Sequence, residues 1–186
     1  MESKELVEAW LNRYLVVGYE ILTDLSVNIE GDVDLSNKDL NFIPVLFGEV
    51  TGNFNCSGNE LLCLTGSPYT VGGDFDCNDN VLESLLGGPV GVDGDFSCYG
   101  NRISSLISGP IYVGGDFDCS ENKLISLLGV PTDCRGGFYC NNNRLSVLFG
   151  SPAVVGGSFN CSENKLTSLK GGPTRVGGNL LVLIMG

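Results

Sequence analysis

The chain is expected to fold as a mainly-β solenoid of parallel strands with an α-helical cap at its N-terminus. Three observations point there: a strict 21-residue repeat, a short apolar–polar alternation inside each copy, and a helical period confined to the first residues. The copies starting at Val50, Val71, Val92, Val113, Cys134 and Val155 read V-x-G-x-F-x-C-x-x-N-x-L-x-x-L-x-x-x-P. Self-similarity of this period means that each copy is one structural unit, stacked on its neighbours to bury a shared core.

The first element is a helix over residues 3–16. Leu6, Trp10, Leu11, Tyr14 and Leu15 form its apolar stripe, Glu2 and Glu5 sit where the helix dipole favours acid, and Gly18 follows its end. Residues 19–22 and 26–29 read as two extended pieces around a Thr23-Asp24 turn. Residues 1–28 are thus expected to cap the first rung, because a solenoid end otherwise exposes its core. Residues 29–186 make the solenoid, with seven full repeats and a partial eighth. The first is degenerate, with Val33, Leu35, Leu40 and Ile43 in the apolar positions, and the last begins at Val176.

Within a copy, D-F-D-C alternation predicts a half-buried strand: Phe75 and Cys77 point inward, Asp74 and Asp76 outward. The two following leucines, Leu82 and Leu85 in that copy, return to the core. The Asn column (Asn59, Asn80, Asn101, Asn122, Asn143 and Asn164) is expected to satisfy backbone groups of its own turn and of the neighbouring copy. Gly-Gly before the strand and G-x-P after the second leucine rule against a helix on the return leg.

The string F-x-C-x-x-N-x-L-x-x-L resembles the strand-and-loop core of a leucine-rich repeat, L-x-L-x-x-N-x-L, with Phe and Cys replacing two leucines. The resemblance covers residues 29–180. Its 21-residue length and G-x-P are similar to the short bacterial class, found in secreted effectors that also begin with a helical cap. Strings such as VGGDFDCSENKLISLLG further resemble repeat proteins of bacteriophages and gut bacteria. The resemblance implies a leucine-rich-repeat solenoid. It does not imply a ligase activity, since the ligase domain that follows such repeats in some effectors is absent here, as is the expected C-terminal cap. Such repeats serve many partners.

Composition narrows the function classes. The net charge is −12, and residues 1–91 carry all of it, with 15 acids against 3 bases, while residues 92–186 hold 7 of each. That field repels nucleic acid and anionic membranes and attracts basic partners, so neither direct nucleic-acid binding nor membrane attachment is expected. Six of the 8 cysteines share one repeat position, unlike a staggered disulfide framework. The start MESKELVEAW is no signal peptide, and the terminal LLVLIMG is too short to span a bilayer. A cytoplasmic, reducing location is expected, and the matches at Asn55-Cys56-Ser57 and Asn160-Cys161-Ser162 to a glycosylation sequon are read as chance.

No catalytic site, metal or cofactor is expected. The cysteine column faces the core, where free Cys acts as a small hydrophobe. The chain has no histidine, which removes the commonest general base, and a repetitive face offers no enclosed pocket. The informative surface is the outward face of the strands. One column there holds Asp32, Asp74, Asp95 and Asp116, and the column two residues on holds Asp34, Asp76 and Asp118. Like charges about 5 Å apart repel by somewhat under about 1 kcal/mol per pair in water, which favours a partner that relieves them. Tyr99 and Tyr139 share that face and suit a binding hot spot.

The plain alternative is that aspartate only keeps an open sheet soluble. Two others are Ca²⁺ held between paired carboxylates and mimicry of a phosphate backbone. Arg102, Lys123, Arg144 and Lys165 form a basic column one residue after the Asn, read as a solvated edge balanced by Glu121 and Glu163. At the C-terminus, Leu180 and Val182 fall on core columns, while Leu181, Leu183 and Met185 offer an apolar edge for self-association.

The expected function is a non-enzymatic protein-interaction module whose acidic face (Asp32, Asp34, Asp74, Asp76, Asp95, Tyr99, Asp116, Asp118, Tyr139) masks a basic surface of a partner protein. If phage-encoded, it would act in the host cytoplasm as an inhibitor of a host defence or nucleic-acid enzyme. The rivals are a structural protein, self-assembling as a homodimer through the C-terminal strand, and a Ca²⁺-dependent module.

Overall fold

The computed structural model, which describes residues 2–183, shows each 21-residue copy as one turn of a parallel-strand solenoid. Every turn contributes two short strands, where the D-F-D-C alternation predicted one. The first strand centres on the repeat-opening apolar residue, as in Thr70–Val71 and Gly91–Val92; the second carries the Phe, as in Phe75–Asp76 and Phe96–Ser97. Between them lies a Gly-rich corner, so that Val71 and Phe75 both point inward from adjoining walls.

The strands of each kind stack into a ribbon. The phenylalanine ribbon is one parallel sheet of eight strands, from Val33–Asp34 to Leu180–Leu181, in strict register. The valine ribbon is interrupted. Six strands end at Tyr112–Val113, and three more run from Asp133–Cys134 to Arg175–Val176. Cys134 occupies the Val position there, and its Sγ turns to the Gly137 carbonyl at 3.2 Å.

Three side-chain columns hold the rungs together. Phe54, Phe75, Phe96, Phe117, Phe138 and Phe159 stack with ring centroids 5.1–5.7 Å apart. Burying each ring is worth about 1.5–3 kcal/mol, and offset stacking adds to that. The cysteine and leucine columns fill the rest of the core. The third column is the buried Asn. Asn122 Oδ1 accepts the N–H of Ile103 at 2.9 Å, and its Nδ2 donates to the carbonyls of Cys98 and Cys119. The same set recurs at Asn59, Asn80, Asn101, Asn143 and Asn164, which closes the backbone of each turn against the one before. Glu5 and Ser3 open the cap: α1 spans Lys4–Arg13, with Ser3 as N-cap accepting from the Leu6 N–H.

The cap differs from its sequence reading in which face docks. Val7 and Leu11 are buried with Val16, and Trp10 and Tyr14 pack against the core, whereas Leu6 and Leu15 are exposed. Trp10 meets Phe47, whose ring in turn meets Phe54, so the helix closes the end of the phenylalanine stack. Left-handed Leu15 ends the helical run before Gly18 does. β1 (Tyr19–Ile21) then pairs antiparallel with β2 (Val27–Ile29), and Asp24 Oδ1 holds the turn through the N–H and Oγ of Ser26. β2 starts the valine ribbon, across the boundary drawn after residue 28. Among the described residues no helix is long and apolar enough to cross a membrane.

Candidate functional site

The two aspartate columns lie where the sequence places them, on the outward side of the phenylalanine ribbon, and the backbone explains their form. In the first column, Asp32 Oδ1 accepts the backbone N–H of Asn53, one full turn later, at 2.7 Å. Asn53 does the same for Asp74, Asp74 for Asp95, Asp95 for Asp116, and Asp116 for Gly137, at 2.6–2.8 Å. A side-chain ladder therefore climbs the face beside the backbone ladder. It also accounts for the glycine before Asp95 and before Asp116: a Cβ on Gly94 would lie 2.2 Å from Asp74 Oδ1, and one on Gly115 2.0 Å from Asp95 Oδ1. The Gly-Asp pair of the repeat is one fitting read across two turns.

The second column ends the strands. Asp34 Oδ1 accepts from both the N–H and the hydroxyl of Ser36, Asp118 from the same groups of Ser120, and Asp76 from the Asn78 N–H. These are Asx turns, and Asn55 and Asn160 make the same ones with Ser57 and Ser162. Environment separates the acids. Burial, with like charge from neighbouring carboxylates, pushes the Asp76 and Asp118 carboxyls above their ordinary pKa. The Ser36 hydroxyl and N–H hold Asp34 below its own.

Both tyrosines are tied into this face. The neighbouring Glu121 carboxylate raises the pKa of the Tyr99 hydroxyl above its ordinary value. Tyr139 folds back over Gly137, where a Cβ would meet its phenol oxygen at 2.6 Å, and burial followed by the charge of Asp116 raises its pKa. Its ring fills the place left by the missing ladder side chain.

The cysteine column is buried, and burial drives its thiols far from ionisation, with Cys161 at the last turn raised to about 11. Cys77 and Cys119 point their Sγ at the carbonyls of Ser97 and Tyr139, at 3.3 and 3.4 Å. Among the described residues no three His, Cys, Asp or Glu side chains are grouped to hold a metal ion. An open groove of about 640 Å³ beside Glu20, Glu30 and Glu49 lies on the valine-ribbon side, away from the aspartate columns.

The basic column is exposed. Arg102, Lys123, Arg144 and Lys165 stand on successive turns, but neither Glu121 nor Glu163 pairs with them; among the described residues the single ion pair is Lys4–Glu8, at 3.9 Å. Nor did the sequence reading single out an apolar row on the return leg. Leu86, Ile107, Leu128 and Phe149 follow one another at the repeat spacing, each between 46% and 63% exposed. The strict column was the available signal. At the C-terminus Leu180 aligns with Phe159 and is nearly half exposed, as are Leu181 and Leu183; Met185 lies outside the described residues.

The chain matches no protein-family model, no curated protein and no solved structure. Its function is therefore argued from geometry.

Proposed function

We propose that the chain is a leucine-rich-repeat interaction module without catalytic activity, whose acidic strand face binds and masks a basic protein surface. One observation carries this: the ladder on that face needs acceptor oxygens but not their charge. Asn53 makes the ladder bond as well as Asp32, Asp74, Asp95 and Asp116 do. Asn55 and Asn160 close the same turns as Asp34 and Asp118. The ladder carboxylates Asp32, Asp74, Asp95 and Asp116 are surplus to folding and repel one another in register. The ladder bonds engage Oδ1, while the second oxygen of Asp74 and of Asp95 accepts no hydrogen bond from the described residues. A basic surface would relieve the repulsion and steer onto the face, with association slowed by salt. Eight free cysteines suit a reducing, cytoplasmic setting. The phage-borne inhibitor suggested by the family resemblance would be one form of this activity.

The test separates this face from overall charge. Asp74→Asn, Asp95→Asn and Asp116→Asn together keep every ladder bond; Glu20→Gln, Glu30→Gln and Glu49→Gln remove the same charge elsewhere. Titrated calorimetrically with an oligolysine peptide at low salt, the first triple variant should lose most of the affinity and the second little. Equal losses would sink the proposal.

A further inference from the structure

One column of side chains runs along the return leg and changes sign on the way. In rung order it holds Asp39 and Glu60, then Val81, then Arg102, Lys123, Arg144 and Lys165. The backbone fixes the register. The N–H groups of Glu60, Arg102, Lys123, Arg144 and Lys165 bond the carbonyls of Leu40, Leu82, Ile103, Leu124 and Leu145, at 2.8–3.0 Å. Every charged member is exposed, and none forms an ion pair among the described residues. Five residues further along the same leg runs the row Pro44, Thr65, Leu86, Ile107, Leu128, Phe149 and Lys170, apolar and exposed from Leu86 to Phe149. Its glycine neighbours confirm the stacking: a Cβ on Gly129 would strike the backbone of Leu106 and Ile107, and one on Gly150 that of Leu127 and Leu128.

Reversed end for end about the rung of Arg102 and Ile107, the first column brings Asp39 opposite Lys165 and Glu60 opposite Arg144. The same reversal sets Leu86 opposite Leu128, with Ile107 meeting its own copy at the centre. A two-fold interface requires such self-complementarity, since the contact of residue i with j is repeated as j with i. An unrelated partner would need neither the sign change nor a common centre for both columns. The geometry points to a second copy of this chain, docked antiparallel through the return leg about a two-fold axis at the rung of Ile107. Both copies share one rung spacing of about 4.8 Å, so the pairing stays in step along the column's length of about 29 Å. The apolar row leaves water, and two acid–base pairs form at each end. Lys123 lays its aliphatic stem over Val81 of the second copy. Arg102 faces its own copy, an unfavourable contact that keeps the dimer weak. The aspartate face lies on another wall of the solenoid and remains open, so this assembly stands or falls independently of the proposed function.

The test is the mass of the full chain by sedimentation equilibrium at about 100 µM, a concentration suited to a small interface. The wild type should have the dimer mass. Ile107→Asp places two carboxylates on the axis, and Glu60→Arg or Arg144→Glu opposes like charges; each should give a monomer with an unchanged circular dichroism spectrum. Glu60→Arg combined with Arg144→Glu should restore the dimer, which a folding defect would not do. Arg102→Ser should tighten it several-fold. A monomeric wild type, single charge reversals that stay dimeric, or a double reversal that stays monomeric would each overturn the inference.

Discussion

The strand face and the return leg share one repeat, yet they use their side chains in opposite ways. On the strand face the polar side chains are tied to the backbone: Asp95 caps Asp116 on the next turn, and Asp118 closes its own turn through Ser120. On the return leg, Lys123 and Leu128 protrude, and the turn is held by their buried neighbours Asn122, Leu124 and Leu127. The ladder of the strand face must therefore be preserved in shape and is free to vary in charge. The exposed residues of the return leg are free in both respects, so a repeating pattern among them needs an explanation outside the fold.

The adjacent residues Asn122 and Lys123 test this contrast most strongly. Asn122→Ala leaves the Ile103 N–H without its acceptor and takes one of two amide donors from the Cys98 carbonyl in the core. The expected loss is about 3 kcal/mol or more. Lys123→Ala should stay within about 0.5 kcal/mol. Urea denaturation of the two variants decides it, and comparable losses would break the distinction between the faces.

A smaller effect separates shape from charge within the strand face. Asp95→Ala removes the acceptor for the Asp116 N–H, which is worth about 1 kcal/mol. Asp95→Asn keeps it, as Asn53 does two turns earlier, and should match the wild type in stability. If both variants lose equally, the carboxylate charge itself supports the ladder, and the argument that it is surplus fails.

What the sequence disclosed follows the same division. The period, the inward Phe and Cys, and the bracing Asn were legible because each recurs in a column with one physical reason behind it. The valine-side strand of each turn was not, because the Gly72-Gly73 corner after Thr70–Val71 interrupts the alternation before it can register. The helix period was right but its docked face is shifted: Val7 lies four residues before Leu11 as Leu6 does before Trp10, and it is Val7 that is buried with Leu11 while Leu6 and Leu15 are exposed. The aspartate ladder joins residues one turn apart, so it appears only after the rungs are stacked. Leu86 and Ile107 were overlooked because a leucine-rich pattern directs attention to the core.

The finest distinction is between two aspartates with the same turn but different surroundings. Asp34 sits on the first turn, exposed, and its bonds to Ser36 lower its folded pKa below the ordinary 3.8. Ionisation there supports the fold: the contribution is present above 3.8 and is lost as the pH falls through the lowered folded value. Asp118 closes an equivalent turn with Ser120 in mid-solenoid, where burial, with Asp116 and Glu121 nearby, raises its folded pKa above 3.8. Its charge opposes the fold at neutral pH, and that penalty fades as the pH drops through the raised value, vanishing below 3.8. Asp118→Asn, which keeps the Oδ1 acceptor as Asn160 does, should therefore raise the Tm at pH 7. That gain should shrink to nothing as the medium is acidified, whereas Asp34→Asn should lower the Tm at pH 7 and converge on the wild type in acid. Thermal melts across this range would show two lines of opposite sign meeting near zero. Lines of the same sign would mean that the turn, and not its surroundings, sets what each carboxylate does.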